Sequence, residues 1–312
     1  PIEHQVMRRL GAEFRKKTPE EIRRLCRDYA AKYVEYQKKQ FKRFGVLADW
    51  ERPYLTMSPE FEAGVLDVLL HIVEGGYVYR ELRAIHWCHS CETALAEAEL
   101  EYEVIKGPSI YVKFRGEEDM ARAFGLDPKT PIYVLIWTTT PWTLPANMAV
   151  ALGADFRYAA VKVGREVLVM AEKTIERVMS EAGVDKWEVL AVRQGEELEG
   201  LIYKHPFMEH EGRLILANFV TLEQGTGTVH IAPGHGKEDY EIGRVYSLPI
   251  LSPVDARGRF TDEVPQYKGE FVFDADPKII EDLRRRGALF HAGEIEHSYP
   301  CLLYTSPSPR DR

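Results

Sequence analysis

Apolar residues recur every three or four positions along two segments near the start of the chain. In the first, Thr18 to Glu21 combines an N-cap, a proline at the first helical position and a glutamate that completes a capping box. The apolar pattern that follows stops at Gly45, and a similar pattern begins at Ser58-Pro59 and stops at Gly75-Gly76. The sequence therefore predicts two amphipathic helices, and residues 77–87 that follow predict a strand.

The pattern changes near Gly107-Pro108, where short apolar runs separated by turn residues replace the helical periodicity. The predicted strands are Ile110–Phe114, Ile132–Trp137, Tyr158–Val163, Glu166–Met170, Trp187–Val192, Leu214–Ala217 and Thr228–Ile231. Helical patterns interrupt them at about Glu172–Ala182, Asp239–Tyr246 and Pro277–Arg286, the last with Asp276 as its N-cap. Many short strands with a few helices predict a mixed α/β domain that resembles a barrel.

Two domains follow from this change of pattern. We expect residues 1–104 to be part of a helical and α/β domain, and 105–295 to be an inserted domain with its own core. Residues 296–312 would end the insertion, but the segment CLLYTSPSPRDR from Cys301 departs from the preceding composition and resembles a translated adapter sequence. The chain also opens on Pro1 without a methionine, so we expect an internal piece of a longer protein.

Composition limits the classes of function. In 312 residues, 45% are hydrophobic and 11% aromatic, which is enough for packed cores. The net charge of −8 argues against a protein that binds nucleic acid by bulk positive charge, although basic residues can still cluster locally. Neither a signal-like segment nor an apolar run of membrane length is present. We therefore expect a cytoplasmic protein with no membrane partner.

The segment 137–147, WTTTPWTLPAN, is the first candidate site. Thr138, Thr139 and Thr140 lie where an apolar strand meets a proline, so the backbone turns there. A hydroxyl both donates and accepts hydrogen bonds, which suits it to holding a water molecule against a carbonyl group. A threonine run alone indicates a strand more often than a catalytic site. The flanking Trp137, Trp142, Thr143 and Asn147 make this motif more specific.

The segment 225–240, GTGTVHIAPGHGKEDY, is the second candidate site. Its glycines permit a close approach of the backbone and positive φ angles. His230 ends a predicted strand, and Asp239 follows nine residues later at the predicted start of a helix. A single histidine or aspartate is more often structural, but here Gly234 and His235 lie between them in a glycine-rich turn.

Together the two segments resemble the signature segments of the editing domain of isoleucyl-tRNA synthetases, which are class I aminoacyl-tRNA synthetases. The resemblance implies a partial Rossmann-like catalytic domain with an inserted, β-barrel-like editing domain. It implies that Asp239 holds the α-ammonium of an aminoacyl group. It also implies that His230 contacts the terminal ribose of the tRNA or limits the size of the pocket. The implied catalytic residues are Thr138, Thr139, Thr140, His230 and Asp239, and the implied substrate-binding residues are Trp137, Trp142, Thr143, Asn147, Gly234 and His235.

The activity implied by this resemblance has two parts. The intact enzyme would be a monomer that joins isoleucine to its tRNA using ATP with Mg²⁺, and the editing domain would hydrolyse valine attached by mistake. An aminoacyl ester is already reactive, so hydrolysis needs a positioned water molecule and no cofactor. A single site discriminates only weakly against an amino acid that lacks one methylene. A second, smaller pocket therefore hydrolyses the aminoacyl esters that are small enough to enter it, as is known for isoleucine and valine.

Two alternatives stay close to this family. The editing domains of valyl- and leucyl-tRNA synthetases carry an arginine after the threonine pair and lack a histidine at the place of His230. Thr140-Pro141-Trp142 and His230 therefore favour the isoleucyl branch. A free-standing editing or tRNA-binding protein is a further alternative, which the missing methionine disfavours. Neither the His-Gly-His nor the Lys-Met-Ser-Lys type of ATP-binding signature occurs, so we expect this stretch alone not to charge tRNA.

Cys88 and Cys91 form a Cys-x-x-Cys motif within the segment 86–91, HWCHSC. One such pair fits half of a zinc site, a redox pair or two separate thiols, because a structural zinc site needs four ligands. In the family such a pair is often completed by a second one after the editing domain, and Cys301 is not an adequate substitute. A zinc or redox module built on this pair is the rival function from another class.

Overall fold

The computed structural model describes residues 1–302 of the chain, which divide into two compact units. The first unit is Pro1–Leu82, and the second begins at Arg83. The predicted domain boundary at 104–105 stays a prediction. Most of the segment expected to be a non-native tail, residues 303–312, lies outside the described residues.

The first unit is helical. It contains α1 (Ile2–Leu10), a 3₁₀ turn (Gly11–Lys16), α2 (Pro19–Arg43) and α3 (Pro59–Glu74). At the start of α2, Glu21 N donates to Thr18 Oγ1 at 3.2 Å, and Thr18 N donates to the Glu21 carboxylate at 2.8 Å. At the start of α3, Phe61 N donates to Ser58 Oγ at 3.3 Å. Both predicted helices and the capping box are confirmed.

The prediction of a strand over residues 77–87 is wrong for most of this segment. Residues 77–85 are irregular and largely exposed, with the side chains of Tyr77 and Tyr79 among the most exposed aromatics. Only β1 (His86–Cys88) is a strand, and it pairs with the short β2 (Thr93–Leu95). Apolar and aromatic residues favour a strand only when a partner strand covers them, and the described part of the chain offers 77–85 no such partner.

The second unit is built on a mixed sheet in which ten of the described strands take part. Along the sheet the order is β11-β5-β10-β9-β3-β4-β7-β6-β8, and β12 also pairs with β3. The strands are β3 (Leu100–Gly116), β4 (Ile132–Thr138), β5 (Ala149–Leu152), β6 (Arg157–Val163), β7 (Glu166–Ala171), β8 (Glu188–Gln194), β9 (Ile202–Lys204), β10 (Glu211–Leu216), β11 (Thr228–Ile231) and β12 (Leu289–Leu302). All the predicted strands beyond Gly107 are confirmed, whereas β5, β9 and β12 were not predicted.

The sheet curls without closing. Backbone pairing among the described strands leaves β11 and β8 at its two ends. Thr228 on β11 nevertheless donates its hydroxyl to the carbonyl of Leu135 on β4 at 2.6 Å, so the curled end of the sheet meets its middle. The mixed α/β class is confirmed, and the barrel-like character takes the form of this curled, open sheet.

The helices of the second unit are α4 (Glu118–Ala123), α5 (Ile175–Glu181), α6 (Lys237–Val245) and α7 (Val272–Arg285). The three predicted helices are confirmed, but the role predicted for Asp276 is wrong. Helix α7 begins at Val272 and not at Pro277, so Asp276 lies inside it and accepts a hydrogen bond from Trp142 N at 2.8 Å. Within residues 1–302, no helix is both long enough and apolar enough to span a membrane.

The limits of the second unit can be tested by limited proteolysis. Arg80 and Arg83 lie exposed in the irregular segment 77–85, where trypsin has access to the backbone. We expect a resistant fragment that begins at Glu81 or Ala84, identified by N-terminal sequencing. A fragment that begins near Gly107 would instead favour the predicted boundary at 105. Progressive loss of all fragments would contradict a second unit with its own core.

Candidate active site

A cavity of about 420 Å³ lies where the end of β4 meets the loop before β11 and the start of α6. Its walls are mostly hydroxyl, imidazole, indole and glycine groups. The lining residues are Trp137, Thr138, Thr139, Thr140, Trp142, Thr143, Thr221, Gln224, Gly225, Thr226, Gly227, Thr228, Val229, His230, Ala232, His235, Gly236 and Asp239. The two segments singled out in the sequence therefore form one site.

The threonine run ends β4 and enters a 3₁₀ turn, Pro141–Ala146. Thr140 N donates to Thr138 Oγ1 at 3.1 Å, and the hydroxyls of Thr140 and Thr143 lie 3.4 Å apart. These bonds hold the turn in place. The hydroxyl of Thr139 makes no hydrogen bond with a described residue, although it lines the cavity. It is therefore the hydroxyl of the run that can bind water or substrate without breaking a bond within the protein.

His230 is held by a buried network on both sides of its ring. Asn147 Nδ2 donates to the Ala149 carbonyl at 2.9 Å, and because a carbonyl only accepts, the orientation of this amide is fixed. Tyr203 donates its hydroxyl to Asn147 Oδ1 at 2.6 Å. The second hydrogen of Asn147 Nδ2 then reaches His230 Nδ1 at 2.8 Å. His230 Nδ1 is thus the acceptor, and Nε2 carries the proton that is donated to Thr143 Oγ1 at 3.0 Å.

This network decides what His230 can do. Burial, together with a smaller effect of the nearby His235, lowers the pKa of the imidazole from 6.5 to about 3. At neutral pH the ring is therefore neutral and too weak a base to take a proton from water. Both ring nitrogens are already bonded within the protein. Of the two roles that the resemblance implies, this geometry favours a wall that limits the cavity over a contact with the ribose hydroxyls.

Asp239 lies in the first turn of α6 and faces the cavity. Its Oδ2 accepts a hydrogen bond from Ala232 N at 2.8 Å, so the carboxylate does not cap its own helix. Burial raises the pKa of Asp239 from 3.8 to about 6; the Ala232 bond opposes that shift and the charge of Glu238 adds to it. At neutral pH it is an anion in a poorly solvated position, which a bound cation would stabilise.

Two residues that line the cavity each have a ring nitrogen without a hydrogen-bond partner among the described residues. Trp142 and His235 pack edge to face with ring centroids 5.1 Å apart. The indole Nε1 of Trp142 and Nε2 of His235 are both buried, and neither has a hydrogen-bond partner among the described residues. Burial lowers the pKa of His235 to about 4, so its ring is neutral at pH 7. Buried polar atoms are costly to leave without a partner, and such atoms at a cavity can bind a polar ligand.

The structure does not bring every predicted residue to the cavity. Asn147 lies behind His230 and acts on it through the network described above. Gly234 does not line the cavity, and a Cβ there would lie 2.1 Å from the Leu251 carbonyl oxygen. The glycine at this position is therefore required for packing against residue 251.

Cys88 and Cys91 lie outside the cavity, in a turn in which Cys91 N donates to Cys88 Sγ at 3.3 Å. Cys88 is buried and Cys91 is exposed. Among the side chains of residues 1–299, no group of three or more His, Cys, Asp and Glu has an arrangement that could hold a metal ion. Two thiols fall short of the four ligands of a structural zinc site. The side chain of Cys301 lies outside the described part of the chain.

Sequence reasoning missed several residues that form or support the site. Thr221 and Gln224 line one wall of the cavity next to Gly225, and they precede the segment 225–240 that the sequence had indicated. Gly225 has a φ of +63°, and a Cβ there would lie 2.9 Å from the Trp137 ring. Tyr203 and Asp276 come from β9 and α7, and no pattern in the sequence connects them with the site.

Comparisons with known proteins identify the family of this chain. The family of class I tRNA synthetases for isoleucine, leucine, methionine and valine matches residues 1–275. The isoleucine–tRNA ligase of Thermotoga neapolitana is 52% identical over 302 residues, and that of Moorella thermoacetica is 49% identical over 300. Each alignment covers 96% of this chain and 32% of the relative, so the chain spans about a third of the length of these relatives.

One solved structure supports the fold of the second unit. The editing domain of the Plasmodium falciparum cytosolic leucyl-tRNA synthetase aligns with a TM-score of 0.50 and 11% sequence identity. The alignment covers 60% of this chain and 99% of that domain. At this identity the likeness concerns the fold alone.

Proposed function

This chain belongs to the class I tRNA synthetases of the isoleucine, leucine, methionine and valine group, and we propose that it is part of an isoleucine–tRNA ligase. Its second unit hydrolyses valine that has been attached to isoleucine tRNA. The observation on which this proposal rests is the convergence of the threonine run, His230 and Asp239 on one cavity. The similarity to isoleucine–tRNA ligases supports the isoleucyl branch over the valyl and leucyl ones.

In this proposal the aminoacyl ester at the end of the tRNA enters the cavity with its α-ammonium against Asp239. The carboxylate is an anion near pH 7, and an ammonium group compensates for its poor solvation. The ester carbonyl lies toward the threonine run, where Thr139 holds a water molecule. Water attacks the carbonyl carbon, the bond to the ribose oxygen breaks, and that oxygen takes up the proton. Valine and free tRNA leave the site.

The protein contributes positioning more than acid–base strength in this reaction. Burial keeps His230 neutral and makes it a poor general base, so it shapes the cavity and holds the turn that contains Thr143. Fixing a water molecule next to an already activated ester can supply much of the rate enhancement. The site needs neither ATP nor a metal ligand from this chain.

For the intact ligase we propose ATP with Mg²⁺, isoleucine and isoleucine tRNA as the substrates of aminoacylation. The ATP-binding signatures do not occur in these 312 residues, so we assign no residue of this chain to ATP. Zinc at Cys88 and Cys91 would need further ligands beyond the side chains of residues 1–299. The cytoplasmic location, the monomeric state and the bounds 105–295 of the editing domain stay predictions.

The test is to incubate the 312-residue chain with valine-charged isoleucine tRNA and to follow the release of valine. We expect release above the spontaneous rate, and much slower release of isoleucine. The same valine ester with an acetylated amino group should be a poor substrate, because it lacks the ammonium that Asp239 binds. Release at the spontaneous rate would reject the proposal. Metal analysis and thiol titration of the same sample test the rival zinc or redox module.

The proposal predicts a dependence of the reaction on pH. Burial raises the pKa of Asp239 to about 6, and only the ionised form attracts an ammonium group. The Asp239 carboxylate is almost fully ionised at pH 8, and its ionised fraction falls about tenfold per pH unit below the pKa. We therefore expect kcat/KM for valyl-tRNA to fall below about pH 6, because this parameter reports the free enzyme. A kcat/KM that stays constant between pH 8 and pH 5 would contradict the role of Asp239.

A further inference from the structure

The guanidinium group of Arg177 holds the loop that forms one wall of the cavity. From helix α5, its Nη2 donates to the carbonyls of Gly225 at 2.8 Å and Leu222 at 3.3 Å, and its Nη1 donates to the carbonyl of Glu223 at 3.1 Å. One side chain therefore binds three carbonyls of a single loop. The planar, five-donor fork of arginine suits such a task, whereas lysine has one compact ammonium group.

The other carbonyls on this side of the loop are also bonded to the body of the domain. The Thr226 carbonyl accepts from Ala171 N at 2.9 Å, and the Gly227 carbonyl accepts from the Tyr158 hydroxyl at 2.7 Å. The loop is thus fastened along one side to β6, β7 and α5. Its members Thr221, Gln224, Gly225, Thr226 and Gly227 line the cavity.

The anchoring is uneven along the loop. Residues 225–228 are buried, whereas Thr221, Glu223 and Gln224 are exposed and belong to no strand. For the described residues, the only hydrogen bonds that reach the carbonyls of Leu222 and Glu223 come from Arg177. Segments with few buried contacts open at low free-energy cost. Without Arg177, the exposed part of this wall keeps the packing of the Leu222 side chain against the core but loses the hydrogen bonds to two of its carbonyls.

We propose that Arg177 is a positioning residue for the deacylation site. It does not line the cavity, and it acts by holding loop 221–227 so that Gly225 stays against Trp137. This inference rests on the proposed function, since the loop faces the same cavity as the threonine run and Asp239. A misplaced wall leaves the ester free to adopt unproductive positions, which lowers kcat more than it raises KM.

The experiment compares Arg177→Ala and Arg177→Lys with a matched control, Arg193→Ala. Arg193 is also a half-buried arginine of the second unit, and it donates to the carbonyls of Ala123 at 2.7 Å and Val192 at 2.8 Å, away from the cavity. We expect kcat for valyl-tRNA to fall about ten- to a hundredfold in Arg177→Ala, since small misplacements can cost that much. Arg177→Lys should fall less, Arg193→Ala should keep the wild-type kcat, and free guanidinium should restore part of the activity of Arg177→Ala.

Hydrogen exchange gives a second measurement that does not depend on activity. Amides of residues 221–227 should exchange faster in Arg177→Ala than in the wild type or Arg193→Ala. A wild-type kcat in Arg177→Ala, or an equal loss in Arg193→Ala, would overturn the proposal. If the wild-type chain does not deacylate at all, the proposed function fails. In that case, if amides 221–227 exchange at the wild-type rate in Arg177→Ala, the role of Arg177 is rejected too. If they exchange faster and the rest of the protein does not, Arg177 is still the group that positions this wall.

Discussion

Asp239→Ala should lower the rate at which this chain releases valine from isoleucine tRNA by roughly ten- to a hundredfold or more. In the proposed site the carboxylate is the partner of the substrate ammonium in a poorly solvated cavity. A hydrogen bond to a charged group is worth about 1.5–3 kcal/mol, and about 1.4 kcal/mol corresponds to a factor of ten in rate. Thr139→Ala and Thr140→Ala should each have smaller effects, because neighbouring hydroxyls or water can substitute in part.

Two controls separate binding of the ammonium from support of the fold. Asp239→Asn keeps an oxygen that can accept the hydrogen bond from Ala232 N, but it removes the charge. Because burial disfavours the ionised carboxylate, Asp239→Asn should melt no lower than the wild type and still lose activity. Glu238→Gln removes an exposed charge beside it and should change the rate little. A variant Asp239→Ala that melts lower but deacylates at the wild-type rate would leave Asp239 with a structural role only, as the acceptor of the hydrogen bond from Ala232 N, worth about 1.5–3 kcal/mol.

The sequence predicted those strands in which apolar runs were bounded by clear turn residues. The prediction missed β5, because Ala149–Leu152 is buried throughout and shows no alternation between apolar and polar positions. It also missed β12, in which charged residues and a glycine interrupt the pattern. This strand exists because it pairs with β3 along almost its whole length. Local patterns cannot report pairing between distant segments. The incorrect prediction of a strand over residues 77–85 has the same cause, because that segment has no partner strand among the described residues.

The candidate site was predictable where its residues are close in sequence. The threonine run and the segment from Gly225 to Asp239 are local motifs, and the structure places both at one cavity. The groups that hold these motifs are not local. Tyr203 fixes the amide that binds His230, and Asp276 binds the turn after the threonine run. Each is an ordinary side chain in its own strand or helix, so only the tertiary structure connects it with the site.

His230→Ala should lower the preference for valine over isoleucine by about ten- to a hundredfold, mainly by allowing isoleucine to be hydrolysed. Both nitrogens of the ring are bonded within the protein, so the ring acts on a substrate through its volume. A difference of one methylene in an apolar pocket is known to be worth about ten- to two-hundredfold, with isoleucine and valine as the standard example. Because His230 lines the cavity, removing its ring enlarges the cavity and makes room for the extra methylene of isoleucine.

The same substitution also leaves Asn147 and Thr143 without their partner in a buried network, at a cost of about 1–3 kcal/mol in the free energy of unfolding. Tyr203→Phe is the matched control, because it removes one hydrogen bond from this network and leaves the imidazole in place. We expect both variants to melt lower, and only His230→Ala to hydrolyse isoleucine-charged tRNA. The measurement is the ratio of the deacylation rates for the two esters. A folded His230→Ala protein that keeps the wild-type ratio would show that His230 does not limit the cavity, whereas an equal change in Tyr203→Phe would assign the discrimination to the network as a whole.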